Sequence, residues 1–518
     1  MTVTRLARAA AIVALFGLLS RLLGFAREVV LAAAYGTSAA TDAFVNSLLI
    51  VNTVAAVLLY TLVTLIIPVF QRERSEHGTD SAWRLICALA LWTGVGLVVL
   101  SSLVALFPEA PAALFHLDPT RAEDTAQLIR IMAPAIALQG FSAIFTAMLQ
   151  IHGRFAGPAA VGIAFNFGII VGVLIGKDSI GIEAAGWGVA VGAALQVILQ
   201  LPQFWRLLRE AHARPVLGHP RLAAVSLLAL PVLGASILQQ VNNFTDKLFA
   251  SSLEAGRVSA LSFANALGQA PRAALLLPLL TPLFPLIARL MSERREEEAL
   301  AAFRRVAGLL GLVAFPMSLL LAIWADEVAQ LAFQRQACGE SCVAQIAPPL
   351  LWYALGIWPA FLSLLLNRTL SAANFQRDIL WTTIVTVVLT IVLDLILLGP
   401  MAQAGLALAA TIGVFANAAM LLERLRRHFP RLRLRELGAR QLRLLLAAGA
   451  GAVAALLLDL AIPTDDMASL EMAPLLVLKA LIAVVVTVVA ARAVAAPELA
   501  DGLGALRSLF GGRRRAAE

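Results

Sequence analysis

Two arginines and a glutamate stand inside the first long apolar run of the chain. In LLSRLLGFAREVVLAAAYGTSAATDAF, residues 18–44, they are Arg21, Arg27 and Glu28, with Asp42 just beyond. A charge at the centre of a membrane span costs several kcal/mol unless it faces water or a partner. Arg27, nearer the end of its run, could snorkel toward headgroups. Arg21 sits about midway and has no such escape. Six residues of helix place the two about 120° apart around the axis, so they can flank one cavity but not stack. A guanidinium fork matches the oxygens of phosphate or pyrophosphate, so this pair predicts an anionic, phosphate-bearing ligand. Glu28 is placed to pair with Arg27 or with another helix.

Further charges interrupt later apolar runs. Asp246 and Lys247 lie in NNFTDKLFASSL, where mutual screening on the helix surface is the plain alternative to a site. Arg272 follows Pro271 in the middle of an apolar stretch and could supply a third cationic contact. Arg368 lies late in its run, where snorkelling competes with a cavity role. Asp394, in TIVLDLILLGP, has Thr390 one turn earlier on the same face. With Asp246 these could offer hard oxygen ligands to a small cation, or accept a proton. The alternative is an acid near a helix end that reaches water. Lys479 and Arg492 in the last run read as structural or lipid-facing. Cys87 reads as an inert core residue. Cys338 and Cys342, in QACGESCV, could form a disulfide in an oxidising compartment. GxSxG, Walker, HExxH and CxxC patterns are all missing from the sequence, which argues against an enzyme.

The elements that must position these residues follow from composition. The chain has 518 residues, 60% hydrophobic and 14% charged, with mean hydropathy +0.86. That composition excludes a soluble globular protein and marks an all-α polytopic membrane protein. With roughly 20 apolar residues needed per span, fourteen spans are expected. They fall near 10–34, 43–70, 84–107, 126–150, 157–176, 184–205, 223–250, 258–288, 303–324, 345–368, 379–398, 404–423, 443–462 and 474–495. Lys and Arg concentrate at the termini and in alternate loops, most heavily in ERLRRHFPRLRLRELGARQLR, which places both termini in the cytoplasm. The net charge of +8 is then a matter of topology and lipid headgroups, with no call for nucleic acid. Pro134, Pro271, Pro348 and Pro359 mark expected kinks.

A weak internal repeat sharpens the plan. A shift of 219 residues sets Arg27-Glu28 on Asp246-Lys247 and Phe44 on Phe263. A shift of 217 sets TLIIPVFQRERSE on TPLFPLIARLMSE. The implied architecture is two parallel six-helix bundles, residues 1–222 and 223–440. Two further transmembrane helices over 441–498 and a basic cytoplasmic tail over 499–518 complete it. A parallel repeat puts a cavity between the bundles, lined by the opening helix of each.

The stretch SRLLGFAREVVLAAAYGTSAATDAF resembles the opening signature of the MurJ/MviN lipid II flippases, in the multidrug/oligosaccharidyl-lipid/polysaccharide exporter (MOP) superfamily. The similarity continues through GPAAVGIAFNFGIIVGVLIG and TVVLTIVLDLILLGPMAQAGLALA. The resemblance implies a MATE-like fold in the cytoplasmic (inner) membrane. It further implies movement of undecaprenyl-pyrophosphate-linked peptidoglycan precursor to the outer leaflet by alternating access, for cell-wall synthesis. It assigns Arg21 and Arg27 to the pyrophosphate and Asp42 to a needed acid near the outer end of the second helix. It also implies a sodium site at Asp246 and Asp394, with Thr390 and Thr411 as further oxygen donors, or coupling to membrane potential, with no other cofactor. The expected partners are the lipid-linked glycan, membrane lipids and enzymes of wall synthesis, the protein itself being a monomer.

The family's usual basic residues in the second helix are replaced here by LLIVNTVAAVLLYTLVT. Its Asp-Arg in the eighth helix is Asn265-Ala266, and its following Glu is Gln269, leaving Arg272 as the nearby cation. Other readings of the same residues are a flippase for another polyprenyl-linked glycan (an exopolysaccharide or O-antigen unit), a cation-coupled small-molecule exporter, or a scaffold that transports nothing.

Overall fold

The computed structural model describes residues 3–115, 117–210, 216–272, 287, 289–291, 293, 295–463, 467 and 469–494. Among these, every extended element is helical, and the one exception to helix is an isolated bridge between Arg335 and Cys338. The long apolar runs leave no alternative, because a backbone in hydrocarbon must satisfy its own hydrogen bonds. The helices are α1 Val3–Tyr35, α2 Ala39–Leu106, α3 Glu109–Ala112, α4 Pro119–Met132, α5 Pro134–Ile151, α6 Ala156–Ile180, α7 Glu183–Glu210, α8 Leu222–Ser251 and α9 Arg257–Pro271. They continue with α10 Glu296–Ile323, α11 Ala325–Phe333, α12 Glu340–Leu355, α13 Ile357–Ala372, α14 Gln376–His428, α15 Leu434–Ala461 and α16 Ser469–Val494.

Eight described helices are long and apolar enough to cross a membrane, or nine if α12 and α13, bent by 43°, form one span. Two of the eight hold two expected spans each. α2 breaks at Gly78, whose φ of 85° is open to glycine, and α14 breaks at Ala402 with φ 49°, two residues after Pro400. α4 leads into α5, and α1, α8 and α9 account for the remaining expected spans. The eighth is described as far as Arg272 and at Ile287, and the basic tail 499–518 lies outside the described residues. Pro134 opens α5 directly after the end of α4, and Pro359 lies just past the α12–α13 bend, as kinks at proline require.

The chain forms two compact units, Met1–Ser262 with Arg335–Cys338, and Phe263–Gln334 with Gly339–Glu518. The helix expected to open the second bundle, α8, packs within the first unit, where Ser236 and Thr61 of α2 share a hydroxyl hydrogen bond of 3.2 Å. In the first unit, α6 and α7 meet backbone to backbone. A Cβ at Gly168 would collide with Gly192, and one at Gly172 would come within 2.7 Å of Gly188. Small residues allow this approach where no hydrophobic effect drives association.

In the second unit, α15 and α16 meet the same way at Gly451, beside Ala483 and Thr487. An ion pair pins them. Lys479, 1% exposed, donates to Asp459 Oδ1 at 2.8 Å and to the Ile462 carbonyl at 2.7 Å. Trp324 Nε1 donates to the other carboxylate oxygen at 2.7 Å, tying the pair to the turn between α10 and α11. Lys479 is therefore buried and structural, not lipid-facing. Cys338 and Cys342 are joined as a disulfide, and Cys87 is free and partly buried.

Candidate functional site

The first unit assembles a charged cluster from α1, α6 and α8. Arg27 and Glu28 form an ion pair, with side chains 17% and 9% exposed. Arg27 Nη1 also donates to Asn166 Oδ1 at 3.1 Å. The Asn166 amide is fixed in turn, since its Nδ2 donates to the carbonyls of Gly162, at 2.9 Å, and Ser20, at 3.3 Å. Glycine makes this possible at Gly162, where a Cβ would collide with the Ser20 side chain. The guanidinium is thus held in one orientation by an acid on its own helix and an amide on another. Its Nε has no acceptor among the described residues.

Lys247 of α8 completes the cluster, half-buried within Coulombic reach of Glu28, Arg27 and Asp246. The Arg27-Glu28 and Asp246-Lys247 pairs, related by the sequence shift of 219, therefore share one electrostatic environment. Arg21, a turn and a half earlier, is exposed and makes no hydrogen bond or ion pair among the described residues. Asn166 was not singled out by sequence. The signal was there, because an amide inside FNFGIIVGVLIG demands a partner as much as a charge does.

Asp42 lies elsewhere in the same unit and does something different. It is 4% exposed. Its Oδ1 accepts from both the Ser259 backbone N–H and the Ser259 hydroxyl, each at 2.7 Å. Its Oδ2 accepts from the Gly256 N–H at 2.7 Å. Gly256 adopts φ 89°, turning the chain into α9 so that these donors converge. An acid at the start of α2 thereby caps the N-terminus of α9, where carboxylates are favoured.

The other candidates belong to the second unit. Arg272 Nε donates to the Gly268 carbonyl at 3.0 Å, and Arg368 is exposed near the end of α13. Thr390 and Asp394 are 1% and 0% exposed, one turn apart on α14. The Thr390 hydroxyl has no hydrogen-bond partner among the described residues. It faces Gly413 on the second half of the same bent helix, at a distance that a Cβ would not tolerate. Thr411 donates to the Trp352 carbonyl at 2.7 Å. A buried acid beside a buried, unpartnered hydroxyl fits a small hard cation with oxygen ligands. Asp246, the fourth expected ligand, is in the first unit. Among the described residues, no group of three or more His, Cys, Asp or Glu has metal-binding geometry.

The arrangement thus offers an oriented arginine with a lysine nearby, inside a polytopic helical protein. The sequence profile described as Lipid II flippase MurJ matches residues 31–496. The protein named Probable lipid II flippase MurJ from Rhizobium meliloti is 28% identical over 421 residues, covering 78% of this chain and 77% of its own. Lipid II flippase MurJ from Burkholderia cenocepacia is 25% identical over 427 residues, covering 80% and 82%. Among solved structures, Lipid II flippase MurJ in an inward closed conformation superposes with TM-score 0.78 at 18% identity, over 92% of this chain and 98% of that one. An inward-facing multidrug resistance MATE family transporter of the MOP superfamily gives TM-score 0.67 at 13% identity, over 80% and 95%.

Proposed function

The chain belongs to the lipid II flippase MurJ family, and we infer from this membership that it carries lipid II across the bilayer. It is a transporter and not an enzyme: it moves undecaprenyl-pyrophosphate-linked peptidoglycan precursor from the inner to the outer leaflet by alternating access. The observation that carries the reading is the match over 466 of its residues, 31–496, and the alternative cargoes are not favoured.

At the level of residues, Arg27 is the group that meets the pyrophosphate. Hydrocarbon resists a charged diphosphate by many kcal/mol, so the carrier must replace its water with fixed donors. The hydrogen bond to Asn166 and the ion pair with Glu28 support this role, because they hold the guanidinium without using up its donors. Arg21 and Lys247 add positive charge, and Arg272 and Arg368 serve the same cargo from the second unit. Asp246, Thr390, Asp394 and Thr411 couple the cycle to sodium or to the membrane potential. The protein resides in the inner membrane as a monomer with both termini cytoplasmic and receives its cargo beside enzymes of wall synthesis.

Complementation of a strain depleted of its lipid II flippase tests the function directly. Growth restored by the chain, and lost with Arg27→Ala at equal membrane level, is the expected result. A well-expressed wild-type chain that fails to restore growth overturns it.

A further inference from the structure

A short turn from the connection between α11 and α12 completes the end of α1. Arg335–Cys338 group with the first unit, although the chain on either side belongs to the second. Within the turn the Cys338 N–H donates to the Arg335 carbonyl at 2.9 Å. It lies on the C-terminal end of the helix that carries Arg27.

A helix end leaves its last carbonyls without intrahelical donors. At α1 the Gly36 N–H takes the Ala32 carbonyl at 2.8 Å, and the Thr41 hydroxyl takes that of Gly36 at 2.9 Å. The Ala33 carbonyl is met from some three hundred residues away, by the Ala337 N–H at 3.1 Å. Gly36 makes room for this donor. Its φ is 61°, and a Cβ there would stand 2.7 Å from the Ala337 carbonyl oxygen. Two side chains flank the contact. Lys177, near the end of α6, donates to Gln336 Oε1 at 3.4 Å, and the Tyr35 hydroxyl donates to the Gly181 carbonyl at 2.8 Å.

One residue past Ala337 the turn is fixed covalently. Cys338 is bonded to Cys342 in the first turn of α12, and the two residues are 1% and 3% exposed. A bond across so short a stretch narrows the conformations open to the turn. Burial keeps an attacking thiolate off both sulfurs until the turn lifts. The same bond therefore holds the cap down and is shielded by it.

We propose that Arg335–Cys338 is a redox-sensitive clasp on the outer end of α1, closed where thiols are oxidised and released when a dithiol reduces its disulfide. Release is a two-electron exchange. The Cys338–Cys342 S–S bond breaks, an S–S bond forms in the dithiol, and the two dithiol protons end on the cysteine sulfurs. The clasp does not depend on the identity of the cargo.

The test uses the full-length protein in detergent, with dithiothreitol as the dithiol. Hydrogen exchange in peptides spanning 30–37 and 335–338 is compared before and after reduction, with the α6–α7 contact as reference. Both segments should quicken roughly tenfold or more on reduction, as loss of the cross-link requires. Cys338→Ser/Cys342→Ser should exchange fast without reductant, and Cys87→Ser, at the free cysteine, should respond as wild type. The rate of reduction, read by alkylation and mass spectrometry, probes the docking separately. Gly36→Ala drives a Cβ against the Ala337 carbonyl, so its disulfide should be reduced several-fold faster than that of wild type. Gly78→Ala, at a φ of 85° with open space around the new Cβ, brings comparable backbone strain and should leave the rate unchanged. Unaltered exchange over 30–37 after complete reduction overturns the clasp. So does a reduction rate in folded Gly36→Ala equal to that of wild type, or one raised equally by Gly78→Ala.

Discussion

Asp42 and Ser259 are bound twice over: one carboxylate oxygen of Asp42 receives both the backbone N–H and the hydroxyl of Ser259, each at 2.7 Å. With Gly256 on the other oxygen, the acid serves as a helix cap. Asp42→Ala removes three hydrogen bonds and leaves buried donors unmet, at about 1–3 kcal/mol for each unsatisfied group. Asp42→Asn keeps one acceptor oxygen and should cost less. The expected order of thermal stability in detergent is wild type, then Asn, then Ala, with flippase activity falling in the same order. An Ala variant as stable and active as wild type would dismiss the cap as incidental.

Arg27 and Asn166 give a separable prediction for transport. Arg27→Ala should abolish lipid II flipping in proteoliposomes while membrane levels stay normal. Arg27→Lys should recover little, since an ammonium cannot reproduce the fork. Asn166→Ala leaves the charge but frees its orientation, so flipping should fall about tenfold, a loss near 1.4 kcal/mol, as for one hydrogen bond to a charged group. Full activity of Arg27→Ala would remove the arginine from the cargo path.

Much of this was legible in the sequence, and what escaped has a physical explanation. Hydropathy placed the described helices, eight of them long and apolar enough to cross a membrane, because the backbone in lipid has few options. α2 and α14 each hold two of the expected spans, parted where Gly78 and Ala402 leave helical dihedrals. Charges in apolar runs led to Arg27 and Glu28, which cluster as expected, but not to Asn166, a neutral group that costs less to bury. Asp42 stood out as an acid, yet its role as a cap depends on Gly256 and Ser259, more than two hundred residues away, which local pattern cannot reach. Lys479 was read as structural or lipid-facing, and the choice stayed open because its partner Asp459 lies on the preceding helix.

That pair makes a prediction about folding. Lys479→Met leaves Asp459 with the Trp324 N–H and no counter-ion. Breaking one side of a buried ion pair typically costs about 3–5 kcal/mol. The double change Lys479→Met/Asp459→Leu removes the stranded charge and should recover much of that stability. Melting temperatures of the three proteins settle it: a double variant no better than the single would mean that the ion pair itself holds α15 to α16.

A pH effect is expected in the loop at the Gly78 break of α2. Glu76 is pulled from 4.5 down to about 2 by its hydrogen bond from Arg72, with a second from Arg221. Glu73 is buried, which alone would raise it. The hydrogen bond from Ser81 and the charges of Arg221, His77 and His219 nevertheless hold it below its usual value. Both carboxyls are depressed in the folded state. Their contribution is therefore fully present above about pH 4.5 and fades as the pH falls toward 2. Hydrogen exchange over residues 71–82 should quicken as the pH falls from about 4.5 toward 2, relative to the α6–α7 contact and after correction for intrinsic rates. Arg221→Gln should move the onset to higher pH. An unchanged onset would mean that Arg221 does not clamp this loop.

Sodium coupling is tested at Asp394 and Thr390. Asp394 is fully buried, and the Thr390 hydroxyl one turn away has no hydrogen-bond partner among the described residues. Asp394→Asn preserves shape but removes the charge that a cation would need. If sodium binds here, lipid II flipping in proteoliposomes should respond to replacement of sodium by choline in wild type and lose that response in Asp394→Asn. Thr390→Val, which keeps volume and deletes one oxygen, should raise the sodium concentration at half-maximal stimulation several-fold, about 1 kcal/mol or more for one lost oxygen contact. Thermal shift with sodium chloride against choline chloride gives a readout independent of transport. Retention of full sodium dependence by the folded Asp394→Asn variant would move the coupling ion elsewhere in the protein.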